Sequence, residues 1–440
     1  MKIFGAILGA VISLSVVCGC FDAGIGDGID ETAFEEGALA GEAGSFWEKV
    51  ELYWEILATL LGFNDKAGQL KLEYRKEGFS FDDTPHDVNR DTAISMNRMG
   101  EMEASFDAHH EAVGHFTKAI DACPGYTEAY YNRGISYLKM RRFEEAADDL
   151  ELVVKREREN VDAYNALGVA YDGLLRFDDA VAAFKKAIEL DPEHVVVHHH
   201  LANTYAHTEE YNAAIVNFTR AIELDSGFGE AYFNRGIVYL EVKAYDDAVT
   251  DFGRAIELDT ERFAAYYNMG FAYELKGDLE AAVESYTEAA ALESRNLDVY
   301  FRRGVTYDSL GRYDEAIADY DRVLDLDPEL PEAYNNRGWA YMMTGDYASA
   351  LKDVDRSLGL DPGNPYYLDT RANILREVGS LDEAMVNIER AIEEEPEFAY
   401  FYYTRGLIHR DMGDAAKARA DLETACDRGV EEACGALEDL

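Results

Sequence analysis

The feature that most constrains this sequence is an internal period of 34 residues. The stretch "AYYNRGISYL" at 129–138 returns as "AYFNRGIVYL" at 231, "AYYNMGFAYE" at 265 and "AYNNRGWAYM" at 333. The separations are multiples of 34, and ten rows of 34 residues cover 93–432 without a gap or an insertion. A period of about 20 to 50 residues is typical of a repeat array, in which each unit buries its apolar face against its neighbours.

Each row predicts two helices. We number the positions of a row from its first residue, so that row one begins at Ala93 and row three at Val161. Positions four, seven, eight and eleven form one stripe at helical spacing, and a second stripe begins at position twenty. Position eight is glycine in eight rows and position twenty is alanine in all ten, which predicts close approach of the two helices. Within the rows, prolines fall only where a helix has ended or begins, at positions thirty-two and one, and Pro85 precedes the array.

Row three carries the pattern most clearly: Tyr164, Leu167, Gly168, Tyr171, Ala180, Phe184 and Pro192. This pattern resembles the tetratricopeptide-repeat signature, with tyrosine in place of the usual tryptophan. The resemblance extends over all ten rows, apart from local departures at Glu103 and Leu375. It implies an all-α fold, a right-handed superhelical solenoid of helix–turn–helix repeats. In that family the first helices line an inner groove that binds peptides or partner proteins.

Arginine and aspartate occur together in the rows. Position seven is arginine in six rows, and position twenty-three of five of these rows is aspartate. The pairs are Arg133 with Asp149, Arg235 with Asp251, Arg303 with Asp319, Arg337 with Asp353 and Arg405 with Asp421, and Arg371 stands with Asn387. We expect an ion pair between the two helices of each of these rows, and a line of arginines for an anionic ligand is the alternative. As semi-exposed pairs they are expected to contribute about 0–1 kcal/mol each.

Residues 1–20, "MKIFGAILGAVISLSVVCGC", have the form of a signal peptide: one lysine and then an apolar run. The last four residues resemble the cleavage box of bacterial lipoproteins, which implies that Cys20 becomes the lipidated first residue. An ordinary signal peptide and an uncleaved anchor are the alternatives. The prediction is an exported protein that is lipid-anchored to the cell envelope, on its periplasmic or extracellular face.

Two segments separate this signal from the repeats. Residues 21–45 are rich in glycine, alanine and acids, which predicts a flexible tether. Residues 46–92 are predicted to be an N-terminal helical segment. Its apolar part at 46–63, with Trp47 and Trp54, is expected to cover the open end of the array, or else to lie on a membrane or dock a partner. Residues 433–440 after row ten are predicted to be a short C-terminal cap.

The cysteines are consistent with export. Cys426 and Cys434 lie in "ACDRGVEEAC", and their spacing resembles that of cysteine-rich helical-repeat proteins, which implies a disulfide across a helix hairpin. Two small buried thiols are the alternative. Cys123 is expected to be packed in the repeat core.

The chain has 41 Lys plus Arg against 87 Asp plus Glu, a formal net charge of −46. Nucleic acid is therefore excluded as a partner, because its recognition requires basic surface. The acidity fits either a partner with a basic surface, whose encounter the field would accelerate, or a salty habitat.

Positions two, five, six, nine and twelve of each first helix form the stripe that faces the predicted groove. Position five is aromatic in five rows, position six is asparagine in four, and position nine includes Trp339. The asparagines resemble the ladder of O-GlcNAc transferases, which implies that they grip the backbone of an extended peptide. The alternative is that the asparagines space the helices and the aromatic side chains pack between repeats. The predicted peptide-binding residues are Asn132, Asn234, Asn268, Asn336, Tyr131, Phe233, Tyr267, Phe301, Trp339 and Tyr403.

Histidines are concentrated in row four, as "EHVVVHHHLANTYAH". Consecutive helical residues point about 100° apart and do not converge on one ion, so we predict packing or groove roles for them and no metal site. The sequence contains no catalytic motif, and we predict no enzymatic activity and no cofactor.

The sequence therefore predicts a non-catalytic scaffold at the cell envelope that binds an extended peptide or a partner protein along its groove. Ten repeats at 93–432 would form this scaffold. A self-assembling structural protein and a receptor for a metal or small ligand are the alternatives. The oligomeric state is left open.

Overall fold

The computed structural model of the protein describes residues 88–438. The predicted signal peptide at 1–20 with its lipidation site at Cys20, the tether at 21–45 and residues 46–87 of the N-terminal segment lie outside the described residues. Residues 439–440 of the predicted cap lie outside them too.

Within 88–438, each row forms two helices. The first helices are α1 (Val88–Ser105), α3 (Thr127–Lys139), α5 (Val161–Gly173), α7 (Val195–His207), α9 (Gly229–Glu241), α11 (Arg262–Lys276), α13 (Leu297–Ser309), α15 (Pro331–Thr344), α17 (Pro365–Glu377) and α19 (Ala399–Asp411). The second helices are α2 (His109–Ala122), α4 (Phe143–Arg156), α6 (Phe177–Leu190), α8 (Tyr211–Leu224), α10 (Tyr245–Glu257), α12 (Leu279–Leu292), α14 (Tyr313–Leu326), α16 (Tyr347–Leu360), α18 (Leu381–Glu394) and α20 (Ala415–Asp427). A last helix, α21 (Glu431–Glu438), follows row ten.

The helices keep the register of the sequence period. In rows two to ten each first helix begins within one residue of position one, whereas α1 begins five residues before Ala93. Pro331 and Pro365 each occupy the first turn of their helix, where the missing N–H has no intrahelical partner to lose. The predicted all-α solenoid of helix–turn–helix repeats is confirmed.

The chain divides into two compact units, residues 1–136 and 137–440, and each is described by itself. In the first unit α1 and α2 pack together, with Ala93 and Ala119 in the core between the helices. In the second unit each helix packs against the next one along the chain, and the core continues from row to row. Phe184 and Phe218, from rows three and four, belong to one buried cluster. A single repeat cannot bury its apolar face alone, so the core has to continue from one row to the next.

Glycine at position eight leaves room for the side chain at position twenty-four. A Cβ atom added to Gly168 would lie 2.5 Å from the ring of Phe184, and one added to Gly236 would lie 2.8 Å from the ring of Phe252. In these rows the two helices therefore approach around a buried ring. The alanines at position twenty are fully buried in every row.

One residue in the loop between the two helices of every row has a left-handed backbone conformation, with positive φ. It lies at position fifteen throughout, with φ between 58° at Arg141 and 86° at Gly277. Rows six to ten have glycine there, but rows one to five have Asp107, Arg141, Leu175, Glu209 and Lys243. Glycine adopts this conformation without strain in the last five rows. In the first five rows the residue has a Cβ atom, so the same conformation has a steric cost.

Between residues 88 and 438, none of the helices has the length and the apolar character that crossing a bilayer requires.

Candidate functional site

We call the stripe of positions two, five, six, nine and twelve on the first helices the first-helix face. Its position-five aromatic rings pack against the ring at position twenty-four of their own row. Phe233 lies 5.8 Å from Phe252, and Phe301 lies 6.0 Å from Tyr320, measured between ring centroids. These rings are half-buried, so one side supports the repeat and the other remains accessible. The packing interpretation of these aromatic side chains therefore describes part of the geometry, and their role in peptide binding stays a prediction.

Of the remaining predicted aromatic residues, Tyr267 repeats this packing, whereas the row of Tyr403 has Leu422 at position twenty-four and Tyr403 contacts a ring of its own helix. Tyr267 lies 5.7 Å from Tyr286, and Tyr403 lies 6.5 Å from Tyr400, again between ring centroids. Tyr131, in the first unit, is half-buried. Trp339 at position nine is the most open of the predicted aromatic residues, with 38% of its surface exposed.

The four asparagines at position six are bonded within the chain, each in its own way. Asn234 donates to Nε2 of His199 at 2.9 Å and to Oδ1 of Asn203 at 3.3 Å. Asn132 donates to Asn97 at 3.1 Å and to Glu101 at 2.9 Å. In both cases the partners belong to the preceding row, so these amides connect neighbouring repeats.

The other two asparagines differ from this arrangement. Asn268 donates to the backbone carbonyl of Ala264, one turn earlier in α11, at 2.9 Å. Asn336 accepts from Asn335 at 3.3 Å and also hydrogen-bonds the hydroxyl of Tyr320. A uniform ladder facing outwards is not what these side chains form, and a role in peptide binding stays a prediction.

Acids at position twelve are a feature of this face that the sequence reasoning missed. In row six the Tyr286 hydroxyl donates to Glu274 at 2.8 Å, and in row seven the Tyr320 hydroxyl donates to Asp308 at 2.6 Å. Burial raises the pKa of Asp308 to about 6, although the hydrogen bond from Tyr320 acts against this rise. A signal was available, since tyrosine replaces phenylalanine at position twenty-four only in these two rows.

The arginines at position seven form bidentate ion pairs with position twenty-three. Each guanidinium donates from Nε and Nη2 to the two carboxylate oxygens. The N–O distances are 2.7 and 2.8 Å for Arg235 with Asp251, 2.7 and 2.7 Å for Arg303 with Asp319, 2.6 and 2.9 Å for Arg337 with Asp353, and 2.8 and 2.7 Å for Arg405 with Asp421. Arg133 and Asp149 lie in different units, and their pairing stays a prediction.

The expected weak contribution of these pairs rested on semi-exposed side chains, and that premise is wrong. Only 14% of the Arg235 side chain and 5% of the Asp251 side chain are exposed. Breaking a buried pair leaves an uncompensated charge, which is strongly destabilising. Arg371, whose row has Asn387, instead donates to Asp355 at 2.8 Å.

The same arginines also reach the preceding row, at its position twenty-five. Arg235 donates to the hydroxyl of Thr219 at 2.8 Å, and Arg303 donates to the hydroxyl of Thr287 at 3.0 Å. Each guanidinium thus connects two repeats. Rows that precede an arginine have threonine or an acid at position twenty-five, so the internal alignment held this signal too.

Of the histidines of row four, His198 and His199 are buried and His200 is half-buried, whereas His207 is exposed. His199, which is 6% exposed, lies against the rings of Phe218 and Phe228, and His200 pairs through Nδ1 with Oδ1 of Asn165 at 2.8 Å. Burial lowers the pKa of both to about 4. Both rings are therefore neutral at pH 7. Among residues 88–438, no group of histidines, cysteines and acids is arranged to hold a metal ion.

Cys426 and Cys434 are joined by a disulfide, with 5.0 Å between their Cα atoms. The bond connects α20 to α21. Val430 and Ala433 are buried on the end of the array beside it. Cys123 is a free, half-buried thiol.

The fold and its face define an all-α repeat protein, and the comparison with known families agrees. Five tetratricopeptide-repeat family models match, and together they cover more than half of the chain. The model described as "TPR repeat" matches 243–277 and 307–345, and those described as "tetratricopeptide repeat" match 131–195, 183–216, 263–296, 331–364 and 370–431. The chain belongs to the tetratricopeptide-repeat family.

No curated protein matches the chain significantly. Among solved structures, the chain is similar to YrrB, described as a TPR protein with an unusual peptide-binding site. The identity is 26%, over 43% of this chain and 97% of YrrB, with a TM-score of 0.40. MamA is 26% identical over 37% of this chain and 94% of its own length, with a TM-score of 0.35. PilF of Pseudomonas aeruginosa is 22% identical over 50% of this chain and 99% of its own length, with a TM-score of 0.41.

Proposed function

We propose that this protein is a non-catalytic scaffold that binds an extended peptide segment, or a partner protein, along the first-helix face. The observation that carries this proposal is the series of half-buried aromatic rings on that face in the second unit. Rigid aromatic side chains with one supported and one accessible side supply contact area at a low entropic cost. Membership of a family of protein-interaction repeats supports it.

The partner is proposed to carry a basic surface. The formal net charge of −46 gives the protein a strong negative field, and that field accelerates encounter with a cationic partner. Position two of the first-helix face adds carboxylates beside the rings, among them Asp298 and Glu332.

The site of action is proposed to be the cell envelope, with the protein held there by a lipid on Cys20. This part of the proposal rests on the signal and cleavage pattern of residues 1–20. The disulfide between Cys426 and Cys434 supports it, since such bonds persist in oxidising compartments.

The experiment is a pull-down from solubilised envelopes of the source organism with the full chain. One variant carries Trp339→Ser and Met343→Ser, which replace two exposed residues of α15. The matched control carries Val216→Ser and Val386→Ser, which are each 67% exposed on second helices.

A partner that the parent and the control retain and the α15 variant loses supports recognition on the first-helix face. All three proteins must show the same helical content by circular dichroism. A partner lost only from the control would move recognition to the second helices and overturn the proposal.

A further inference from the structure

The first-helix face changes its character in the last two rows. Position two is acidic in five of the earlier rows, whereas it is tyrosine in rows nine and ten, as Tyr366 and Tyr400. The two tyrosines are 44% and 46% exposed. Single exposed apolar residues are common on any protein surface, and only a contiguous patch of them marks an interaction site.

Phe398 joins the two tyrosines into one such patch. It is the residue before α19, and its ring centroid lies 5.2 Å from that of Tyr366 and 6.0 Å from that of Tyr400. The fully buried Phe401 supports it from below, with 4.7 Å between the two ring centroids. We call Tyr366, Phe398 and Tyr400 the terminal aromatic patch. Because these rings hold one another in place, a ligand that contacts them orders few side chains on binding.

Carboxylates lie at the hydroxyl ends of both exposed rings. A hydrogen bond with Glu395 raises the pKa of the Tyr366 hydroxyl. The Tyr400 hydroxyl lies 3.5 Å from Oε2 of Glu432, whose charge raises the pKa of Tyr400. Glu432 is an exposed residue of α21, the helix that the disulfide connects to α20. The patch therefore combines open aromatic rings with a carboxylate that solvent reaches.

Elsewhere on the first-helix face the chain combines a ring and a carboxylate with a guanidinium of its own. Arg302 lies over the ring of Phe271, with 4.7 Å from its Cζ to the ring centroid. Its Nη1 is 3.4 Å from Oε1 of Glu274. The attraction of the ring and the ion pair thus act on the same guanidinium.

Two arginines near the end of the array lie over a different ring. Arg428 lies over Tyr402, with 4.7 Å from its Cζ to the ring centroid, and Arg405 lies over the same ring at 5.4 Å. Among residues 88–438, no arginine or lysine lies over a ring of the terminal aromatic patch. The patch therefore has the rings and the carboxylates of such a site without the cation.

Charge decides which occupant fits this patch. The carboxylates beside the hydroxyls add to a formal net charge of −46, so anionic ligands and a second copy of this chain are repelled. An apolar segment would cover the rings, but it would remove water from the adjacent carboxylates without pairing them. A cationic side chain is attracted by both the rings and the carboxylates.

We infer that the terminal aromatic patch binds one arginine side chain of the partner, with its guanidinium against the ring of Tyr400, the carboxylate of Glu432 as its counter-ion, and its aliphatic stem along Phe398 and Tyr366. The inference rests on the proposed function and names the chemistry of its partner. Arginine is preferred to lysine because its planar guanidinium both stacks on a ring and presents paired donors to a carboxylate.

The test uses fluorine NMR on the full chain, with meta-fluorotyrosine in place of Tyr400. The fluorine signal reports contact at that ring and detects weak binding as well as tight binding. The probe is the capped peptide Gly-Gly-Arg-Gly-Gly, and peptides with lysine or with neutral citrulline at the centre are the comparison. The arginine peptide is expected to shift the signal saturably, and the citrulline peptide to leave it unchanged.

Two carboxylate variants locate the counter-ion. Glu432→Gln keeps an oxygen that can accept from the Tyr400 hydroxyl, and it is expected to weaken arginine-peptide binding about threefold. Glu423→Gln makes the same change of charge at an exposed site on α20, and it is expected to weaken binding less than about 1.5-fold. Equal weakening by both variants would show a response to net charge alone and overturn the site.

Two apolar variants of row nine test the ring contact. Tyr366→Ser removes an exposed ring of the patch and is expected to weaken arginine-peptide binding about threefold. Val386→Ser, which is 67% exposed on α18, is expected to leave binding unchanged. Equal binding by these two variants, with the same helical content by circular dichroism, would contradict the contact with the patch.

Further results would also contradict the inference. Binding of the citrulline peptide as tight as that of the arginine peptide would exclude an ionic contact, and equal binding of the lysine peptide would overturn the assignment to arginine. A fluorine signal that shifts with protein concentration alone would show a second copy on the patch. If the peptide does not bind but the envelope partner is still lost from the α15 variant, the arginine site is wrong and the proposed function stands.

Discussion

Arg303 and Asp319 form a closed bidentate pair, in which Nε and Nη2 each lie 2.7 Å from a carboxylate oxygen. Their side chains are 15% and 7% exposed. Arg303 also donates to Thr287 of the preceding row. One side chain therefore connects the two helices of row seven to each other and to row six, and the same two contacts recur at Arg235 and Arg337.

Breaking this pair is expected to be costly. Asp319→Ala should lower the free energy of unfolding by about 3–5 kcal/mol, because a buried guanidinium loses its counter-ion. Asp325→Ala, at an exposed position of the same helix, should change it by less than about 0.5 kcal/mol. Urea denaturation followed by circular dichroism measures both.

Replacing both partners should restore most of the loss. Row three has Leu167 and Ala183 at these two positions, so Arg303→Leu with Asp319→Ala copies an arrangement the fold already contains. We expect the double variant to be more stable than Asp319→Ala alone. A double variant that is less stable than the single one would contradict this account of the pair.

The glycines of the helices separate into two kinds, which one pair of substitutions distinguishes. Gly168→Ala would place a Cβ 2.5 Å from the ring of Phe184 and should destabilise by about 1–3 kcal/mol. Gly253→Ala meets nothing within 4 Å in α10 and should stabilise by up to about 1 kcal/mol. Thermal melts of the two variants should therefore shift in opposite directions, and shifts in the same direction would refute the packing role of position eight.

Position fifteen offers a stabilising substitution. Leu175 has φ of 59° and is 74% exposed, so it has the cost of a left-handed Cβ and little burial in return. Leu175→Gly should raise stability by about 1 kcal/mol. The reverse change, Gly345→Leu at φ of 85° in row eight, should lower it by a similar amount. Melting temperatures are the measurement, and a lower value for Leu175→Gly would count against strain at this turn.

Lowering the pH should destabilise the fold through the buried side chain of His199, which lies between rows four and five. Burial, with a smaller effect of the His200 charge, lowers the pKa of His199 to about 4, whereas an unfolded histidine titrates near 6.5. The unfolded chain therefore binds the extra proton first. The free energy of unfolding should fall as the pH falls from about 6.5 to 4, by up to about 1.4 kcal/mol per pH unit for this histidine.

A matched pair of variants isolates this effect. His199→Asn installs the residue that row three has at position five, and it should reduce the pH dependence below 6.5 while leaving the part that His200 contributes. His110→Asn makes the same substitution at an exposed position and is the matched control. An equal slope in His199→Asn and the parent would show that His199 does not titrate across unfolding as described.

The regular part of the architecture could be predicted from the sequence, because it depends on contacts within one row. The period placed the helix starts at Pro331 and Pro365, and the joint occurrence of Arg235 and Asp251 matched their contact. Both features follow from helical spacing within one row of 34 residues. Because ten rows repeat that spacing, the pattern can be seen in the sequence.

Contacts between rows were harder to predict. Asn234 meets His199, and Arg235 meets Thr219, because of the rotation of one repeat against the next. No single row encodes that rotation. The contacts of Asn132 and Asn234 with the preceding row depend on the same rotation, and the role of the asparagines in peptide binding stays a prediction. The alignment of position seven with position twenty-five of the preceding row held part of this information.

The measurement that tests the account most directly is site-specific photo-crosslinking in the source organism. A photoreactive phenylalanine replaces Trp339 on the first-helix face in one strain and Val386 on a second helix in another. The account predicts crosslinks from position 339 to one defined, basic partner and none from position 386. Crosslinks to that partner from position 386 and not from position 339 would place recognition on the second helices and contradict the account.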